Sequence, residues 1–383
     1  MITQVGEKCV GCGACVSVCP QKCLSLKENA SGFRYPEADV ESCIDCGLCD
    51  KSCPILKEEK GGAKPLRTLG VRAADENIVL KSSSGGAFYL LSSAVLNNGG
   101  CVCGAAIDEN NYVYHKVVDN FEALRGLLCS KYVQSDLKNV YSEVKEFLKK
   151  GRQVLFSGTP CQVNGLYSFL GKDYDQLLTV DLICHGVPSP YVWKKYVAFM
   201  ERKYDSKITC VNFRHKENGW ERSGLKLDFA NGKTYFGAMK DDFFIIQFLQ
   251  NLCLRESCYS CEFKGMNRAA DITIGDFWGV RNSYPELYSD KGVSLLVVNT
   301  QKGLRTVEKE PQLCNEPYVD FDKAVQNNSA YSISVEKSRY GKAFVKALEK
   351  MPFDKAVNKY VKKLMLKRRL ASYLYRIKKI IKK

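Results

Sequence analysis

Cys9, Cys12, Cys15 and Cys19 follow the spacing C-x2-C-x2-C-x3-C ahead of Pro20, and Cys43, Cys46, Cys49 and Cys53 repeat it ahead of Pro54. Thiolates so spaced hold iron–sulfur clusters. Three from each run cap one [4Fe–4S] cubane, and the fourth serves the cubane of the other run. The expected ligand sets are Cys9, Cys12, Cys15 and Cys53 for one cluster, and Cys43, Cys46, Cys49 and Cys19 for the other. Zinc sites use two C-x2-C pairs, not four cysteines ending in proline, so the pattern argues against zinc. Such clusters move single electrons.

A third group, Cys253, Cys258 and Cys261, has C-x4-C-x2-C spacing. The same spacing precedes a distant fourth cysteine in [2Fe–2S] proteins, and a third iron–sulfur cluster is expected here. The remaining ligand is either Cys184 or Cys161, which fall at the ends of two expected strands. Cys101 and Cys103 alternate in a strand-like stretch and read as small hydrophobes. Cys23, Cys129, Cys210 and Cys314 have no ligand-spaced neighbours and read as structural.

One-electron clusters rarely act on organic substrates directly, and a flavin can exchange one or two electrons. No G-x-G-x-x-G follows a strand, so a Rossmann site for NAD or FAD is not indicated. Ser82-Ser-Ser-Gly-Gly86, ahead of an apolar segment, offers hydroxyls and backbone N–H groups to a phosphate, or is a plain helix cap and turn.

The elements that must position these residues are legible in part. Residues 1–56 form a dicluster module of the ferredoxin type, too short to hold together without its clusters. Lys57 to Pro65 is polar and broken by Gly and Pro, a linker. Residues 66–310 alternate between helix and strand. Ala87–Leu96 is an expected helix, Val102–Ile107 a strand, and Asp136–Lys150 a helix. Gln153–Phe156 is a short strand, Thr159 caps a helix with Pro160 at its first position, and that helix stops at Gly171. Leu177–Ile183 is the next strand. Strand, helix and strand of these lengths imply a parallel crossover, with both strands ending on the carboxyl edge where open α/β sheets bind ligands. Leu225–Phe236 reads as a hairpin around Asn231-Gly232, Met239–Leu252 as a helix, and Asp271–Gly275 and Val293–Asn299 as strands.

The 383 residues, 45% hydrophobic and 26% charged, are ordinary for a globular chain with room for two or three domains. Nineteen cysteines in ligand spacing, no signal-like leader and no apolar run of spanning length point to a reducing cytoplasm. The net charge of +15 is a tail property: residues 355–383 hold twelve Lys and Arg and no acid, which leaves +3 for the rest. That distribution argues against nucleic acid as a partner. Leu366, Leu370, Tyr373, Leu374, Ile377 and Ile381 share one face of an expected basic amphipathic helix. Residues 311–383 thus read as a C-terminal region whose tail, 355–383, docks on an anionic membrane surface or an acidic partner, or is a simple solvated packing helix.

Six segments fall in one order: Ser83–Gly86, Ser130-Lys-Tyr-Val-Gln-Ser135, Gly158-Thr-Pro-Cys-Gln162, Asp181-Leu-Ile-Cys-His-Gly-Val-Pro188, Cys258-Tyr-Ser-Cys261 and Asp271-Ile-Thr-Ile-Gly-Asp-Phe-Trp-Gly279. Together they resemble the coenzyme F-420 hydrogenase/dehydrogenase beta subunit family, which also includes formate dehydrogenase beta subunits and 7-hydroxymethyl chlorophyll a reductase. The resemblance covers about residues 66–310. It implies an α/β flavoprotein domain with a mixed sheet and FAD beside a [4Fe–4S] cluster. It favours a [4Fe–4S] cluster over [2Fe–2S] at Cys253, Cys258 and Cys261. It makes Ser83, Ser84, Gly85, Gly86, Lys131, Tyr132, Gln134, Ser135, Thr159, Pro160 and His185 the expected flavin contacts. Arg214, Lys216, Asp276 and Trp278 are further candidates for that site, and no residue stands out as catalytic. The implied protein is an iron–sulfur flavoprotein oxidoreductase passing electrons between ferredoxin-type clusters, a third cluster, FAD and a two-electron acceptor. The alternative is a non-catalytic electron-transfer subunit. In either case the expected partner is a redox protein or a small electron carrier, and the family name does not establish F-420 as substrate.

Overall fold

The computed structural model describes residues 2–57, 62–266, 268–314 and 316–361. In the N-terminal module β1 (Leu24–Glu28) and β2 (Arg34–Ala38) form an antiparallel hairpin, flanked by the short helices Ala14–Val18 and Leu48–Lys51 that follow the first cysteines of each run. Val10, Cys12 and Ala14 pack into the same apolar cluster as Val163 and Leu166 of the helix Pro160–Leu170. Gly165 makes that approach possible, because a Cβ there would lie 2.7 Å from the Cβ of Cys12 and from the Tyr141 hydroxyl.

Seven strands form the main sheet: β3 (Arg67–Val71), β4 (Cys101–Ile107), β5 (Val113–Val118), β6 (Val154–Gly158), β7 (Leu177–Leu182), β11 (Ile272–Asp276) and β12 (Ser294–Val298). Their order is β3-β12-β11-β7-β6-β4-β5. β4, β6, β7 and β11 run parallel, whereas β5 and β12 pair antiparallel to their neighbours. The sheet is mixed, and the β6–helix–β7 unit is the parallel crossover expected from sequence. Side chains alternate between the two covered faces. Leu155 and Val102 join the cluster under the helix Ala87–Asn97, while Val154, Phe156, Cys101 and Cys103 join the one under Pro160–Leu170 and Val140–Lys149.

A smaller antiparallel sheet holds β8 (Ile208–His215), β9 (Gly224–Phe229) and β10 (Thr234–Ala238). Its second hairpin turns at Asn231-Gly232 as expected. This sheet packs with the helices Pro190–Tyr204 and Phe243–Leu249 and with Phe344, Phe353 and Val357.

Boundaries differ where caps override periodicity. The helix expected from Met239 starts at Phe243, because the Asp242 carboxylate accepts the Ile245 N–H at 2.8 Å. The helix expected from Asp136 starts at Val140, because Asp136 bridges Tyr114 of β5 instead. β3, β5, β8 and the helix Pro190–Tyr204 are additions to the expected elements. Among the described residues no helix is long and apolar enough to cross a membrane. Residues 353–361 are helical, and the rest of the basic tail, with its expected apolar face, lies outside the described residues.

Candidate functional site

Among the described residues twelve thiols fall into three groups of four, each around its own cavity, and a thirteenth, Cys23, joins the outer one. Cys19, Cys43, Cys46 and Cys49 line an outer one, and Cys9, Cys12, Cys15 and Cys53 a middle one. In both, the last cysteine of one run joins the first three of the other. The positive φ of Gly13 and Gly47 starts the short helix that follows each C-x2-C pair. The innermost cavity is lined by Cys161, Cys184, Cys258 and Cys261.

Two sequence expectations change at that inner cavity. Cys161 and Cys184 are not alternatives, since both face it. Cys253 does not. Cys253 is 3% exposed, and its thiol donates to the Gln247 side-chain amide oxygen at 2.6 Å, within the apolar cluster of the small sheet. The cause is local: Leu254 bridges Pro188 in antiparallel fashion and Ser189 N–H bonds the Cys253 carbonyl, so this extended stretch turns Cys253 away. Cys161 stands in the first turn of the helix after β6, and Cys184 just beyond β7, on the carboxyl edge of the sheet.

The thiols surround space rather than a point. Four thiolates on one zinc would lie about 3.8 Å apart, from a bond of about 2.3 Å. Among the described residues, no group of three His, Cys, Asp or Glu is gathered to hold a single ion. Burial pushes Cys258 up to about 12 and Cys184 to about 11. Both are neutral thiols unless a cationic metal group draws off their protons.

A larger cavity of about 510 Å³ opens on the same edge. Ser83, Ser84, Gly86, Lys131, Tyr132, Ser135, Thr159 and His185 line it, as do Arg214, Asp276 and Trp278. It shares Cys184, His185, Gly186 and Val187 with the inner thiol cavity, so one stretch of backbone separates the two. Three expected flavin contacts fall elsewhere. Gly85 turns inward, its N–H donating to the Ser294 hydroxyl at 2.9 Å. Gln134 faces the N-terminal module, donating to the Val10 carbonyl at 3.1 Å. Pro160 lines the inner thiol cavity. Lys216 also points away, its ammonium donating to the carbonyls of Val79, Ser84 and Lys291 and so bracing the Ser/Gly loop from behind.

Arg214 donates to Asp276 at 3.1 Å, and the Trp220 indole donates to the same carboxylate oxygen at 2.7 Å. Trp220 stacks on Trp278 with ring centroids 4.8 Å apart. Cys129, structural by its spacing, lines the large cavity and donates to the Asn212 side-chain oxygen at 3.2 Å. Cys23, structural by the same argument, lines the outer thiol cavity with its sulfur 3.4 Å from that of Cys19.

Two residues carry little sequence signal. Arg255 stands inside the Cys253–Cys258 spacing and is 1% exposed. Its guanidinium donates to the Cys9 carbonyl (2.7 Å), the Gln134 side-chain oxygen (3.0 Å) and the Arg34 carbonyl (2.8 Å). It therefore ties the middle thiol group to the inner one, and Val10 lines both cavities. His115 belongs to no motif in the sequence, yet it lines the large cavity and is 3% exposed. Its Nε2–H donates to the Ser157 carbonyl at 3.0 Å, which leaves Nδ1 as a buried acceptor with no partner among the described residues.

Burial holds His115 down at about 4. An unfolded chain returns it to about 6.5, so its contribution to stability is full above about pH 6.5 and is lost as pH falls through about 4. Between pH 7.5 and pH 5.5 the loss is about 1 kcal/mol. His115→Phe is expected to flatten that part of the pH dependence, read from urea midpoints at the two pH values. An unchanged slope would contradict it.

Residues 151–314 match the family model that describes the C terminus of the coenzyme F420 hydrogenase/dehydrogenase beta subunit. Residues 8–55 match the model described as a 4Fe-4S dicluster domain. Among solved structures, a chain of the xenon-derivatised F420-reducing [NiFe] hydrogenase complex from Methanosarcina barkeri is similar at 16% identity and a TM-score of 0.45, over 82% of this chain and 95% of that one. No curated protein matches.

Proposed function

The chain joins a 4Fe-4S dicluster domain to a region of the coenzyme F420 hydrogenase/dehydrogenase beta subunit family, and from that premise we propose an iron–sulfur flavoprotein oxidoreductase with three clusters and one FAD. One observation carries the proposal: a third set of four thiols shares the wall Cys184–Val187 with a cavity large enough for an organic cofactor. Cys9, Cys12, Cys15 and Cys53 would hold one [4Fe–4S] cluster, Cys19, Cys43, Cys46 and Cys49 a second, and Cys161, Cys184, Cys258 and Cys261 a third. Bound clusters supply single-electron transfer, and bound FAD couples it to a two-electron change in an acceptor.

The chain's own residues fit these groups. Arg255 is a buried cation beside the inner thiols, and a cation so placed is costly without an anion to face it. A thiolate-ligated cluster is such an anion. On the large cavity, Ser83, Gly86 and Ala87 stand at the N-terminus of the eleven-residue helix Ala87–Asn97, where N–H groups favour a phosphate. Neutral His115 offers its free Nδ1 lone pair to a ligand N–H or O–H.

The domain limits proposed are 1–56, 66–310 and 311–383. The redox partner is a protein or small carrier that exchanges electrons through the exposed N-terminal module. Anaerobic purification is expected to yield about twelve iron atoms and one FAD per chain, from three cubanes. About eight iron atoms and no flavin would sink the scheme.

A further inference from the structure

Five thiols surround the outer cavity: Cys19, Cys43, Cys46, Cys49 and Cys23. Among the described residues the middle and inner cavities have four each. A [4Fe–4S] cubane takes four protein ligands, one for each iron, so the outer group holds one thiol more than it needs. The surplus has a definite place. Cys23 Sγ lies 3.4 Å from Cys19 Sγ, one thiol donating to the other. Two thiolates on one tetrahedral metal ion stand about 3.8 Å apart, from bonds of about 2.3 Å. Cys19 and Cys23 are therefore close enough to reach the same iron.

The chain between them fixes this approach. Lys22 N–H donates to the Cys19 carbonyl at 3.3 Å, which closes a tight turn over Pro20 and Gln21. Lys22 itself has a φ of 55°, in the left-handed region that non-glycine residues seldom adopt. On the far side, the Cys23 carbonyl accepts the Asp39 N–H at 2.8 Å, at the mouth of the β1–β2 hairpin. Cys23 is thereby folded back over Cys19. The second cysteine run has an exposed lysine, Lys57, at the corresponding position after Cys53. The ligand spacing does not call for Cys23, which is 9% exposed. An aliphatic residue would fill the same buried site without placing a sulfur on the cavity.

The extra thiol stands at the least protected group. Cys46 is exposed, and Cys19, Cys43 and Cys49 are partly so, whereas Cys12, Cys15 and Cys53 of the middle group are buried. Water and small oxidants reach the outer group first. An iron that loses its ligand there is open to solvent unless another thiol takes the place. A thiol tethered this close acts at a high effective concentration.

We propose that Cys23 is a second ligand for the iron that Cys19 holds, so that the two thiols exchange at one corner of the outer cluster. The inference rests on the proposed outer cluster and adds a fifth ligand to it. Exchange breaks the Fe–S bond to Cys19 and forms one to Cys23. The Cys23 proton passes to Cys19 along their hydrogen bond. No electron is gained or lost, and no co-reactant is required. The consequence is an outer cluster that survives the loss of one ligand.

Iron and sulfide content of the full, anaerobically purified chain tests this. Cys19→Ala is expected to keep about twelve iron atoms, because Cys23 takes its place. Cys19→Ala combined with Cys23→Val should fall below about twelve, by one iron atom or by all four of the outer cluster. Loss of iron from Cys19→Ala alone, or full retention in the double variant, would overturn the exchange. Cys46→Ala combined with Cys49→Ala removes two ligands, more than one spare thiol can replace. Full retention of iron in that variant would overturn the outer cluster itself. In air, Cys23→Val, which keeps the packing, is expected to lose its outer four iron atoms sooner than the wild type. Equal rates of loss would also overturn the exchange. Should Cys19→Ala not fold, that comparison decides.

Discussion

Cys258→Ser is expected to remove about four iron atoms per chain, leaving about eight, while Cys253→Ser keeps about twelve. Cys253 belongs to the sequence spacing that announces the group, so the ligand pattern alone predicts equal losses. The fold separates them. Cys258 lines the inner cavity with Cys161, Cys184 and Cys261, whereas Cys253 donates to Gln247 in the core of the small sheet. Cys161→Ser and Cys184→Ser should each behave like Cys258→Ser, because a serine hydroxyl is a poor substitute for a thiolate on iron. Iron and sulfide content after anaerobic purification decides. Loss of four iron atoms from Cys253→Ser, with full retention in Cys161→Ser, would contradict the arrangement.

Asp181→Ala is expected to destabilise the chain by about 3–5 kcal/mol. Asp181 at the end of β7 is 0% exposed and holds Arg268 at 3.0 Å. Burial pushes the Asp181 carboxyl up and Arg268 pulls it back, so the pair is worth little in net terms. Breaking one side is another matter, since Arg268 would stay buried without its counter-charge. Its remaining partners, the Leu182 carbonyl at 3.4 Å, the Tyr331 carbonyl at 3.2 Å and the Tyr331 ring at 4.3 Å, are neutral. Replacing both members by apolar residues of similar size, Asp181→Leu with Arg268→Met, should recover most of the loss. Chemical denaturation of the holoprotein followed by circular dichroism gives both numbers. A cost below about 1 kcal/mol for Asp181→Ala would show that the pair is not isolated from water.

How much of this is legible in the sequence follows the distance over which each feature is encoded. The helix Pro160–Leu170 is readable from Thr159, Pro160 and Gly171, because caps and stops are local. The helix Pro190–Tyr204 carries the same kind of signal, Ser189 then Pro190, yet is absent from the expected elements. β5 and β8 are half-polar, with Lys116 and Asn212 in them, and give no clear strand period. On the large cavity, eight of the expected flavin contacts line the space and three do not. The three that differ are set by neighbours far along the chain: Ser294 for Gly85, Val10 for Gln134, and Cys258 and Cys261 across the inner cavity for Pro160.

The sequence by itself determined that two runs of four thiols exchange their last members, because ligand spacing of two and three residues leaves a cluster almost no other geometry. It also determined the β6–helix–β7 crossover, and hence that Cys161 and Cys184 reach one edge of a sheet. Only the tertiary structure decided that both of them meet Cys258 and Cys261, that Cys253 is turned away, and that Arg255 stands between two thiol groups with no carboxylate among the described residues in ion-pair reach. Those facts depend on strand register and on side chains brought together from opposite ends of the chain. A pattern of spacings records neither, because register and long-range packing are settled by the whole core at once.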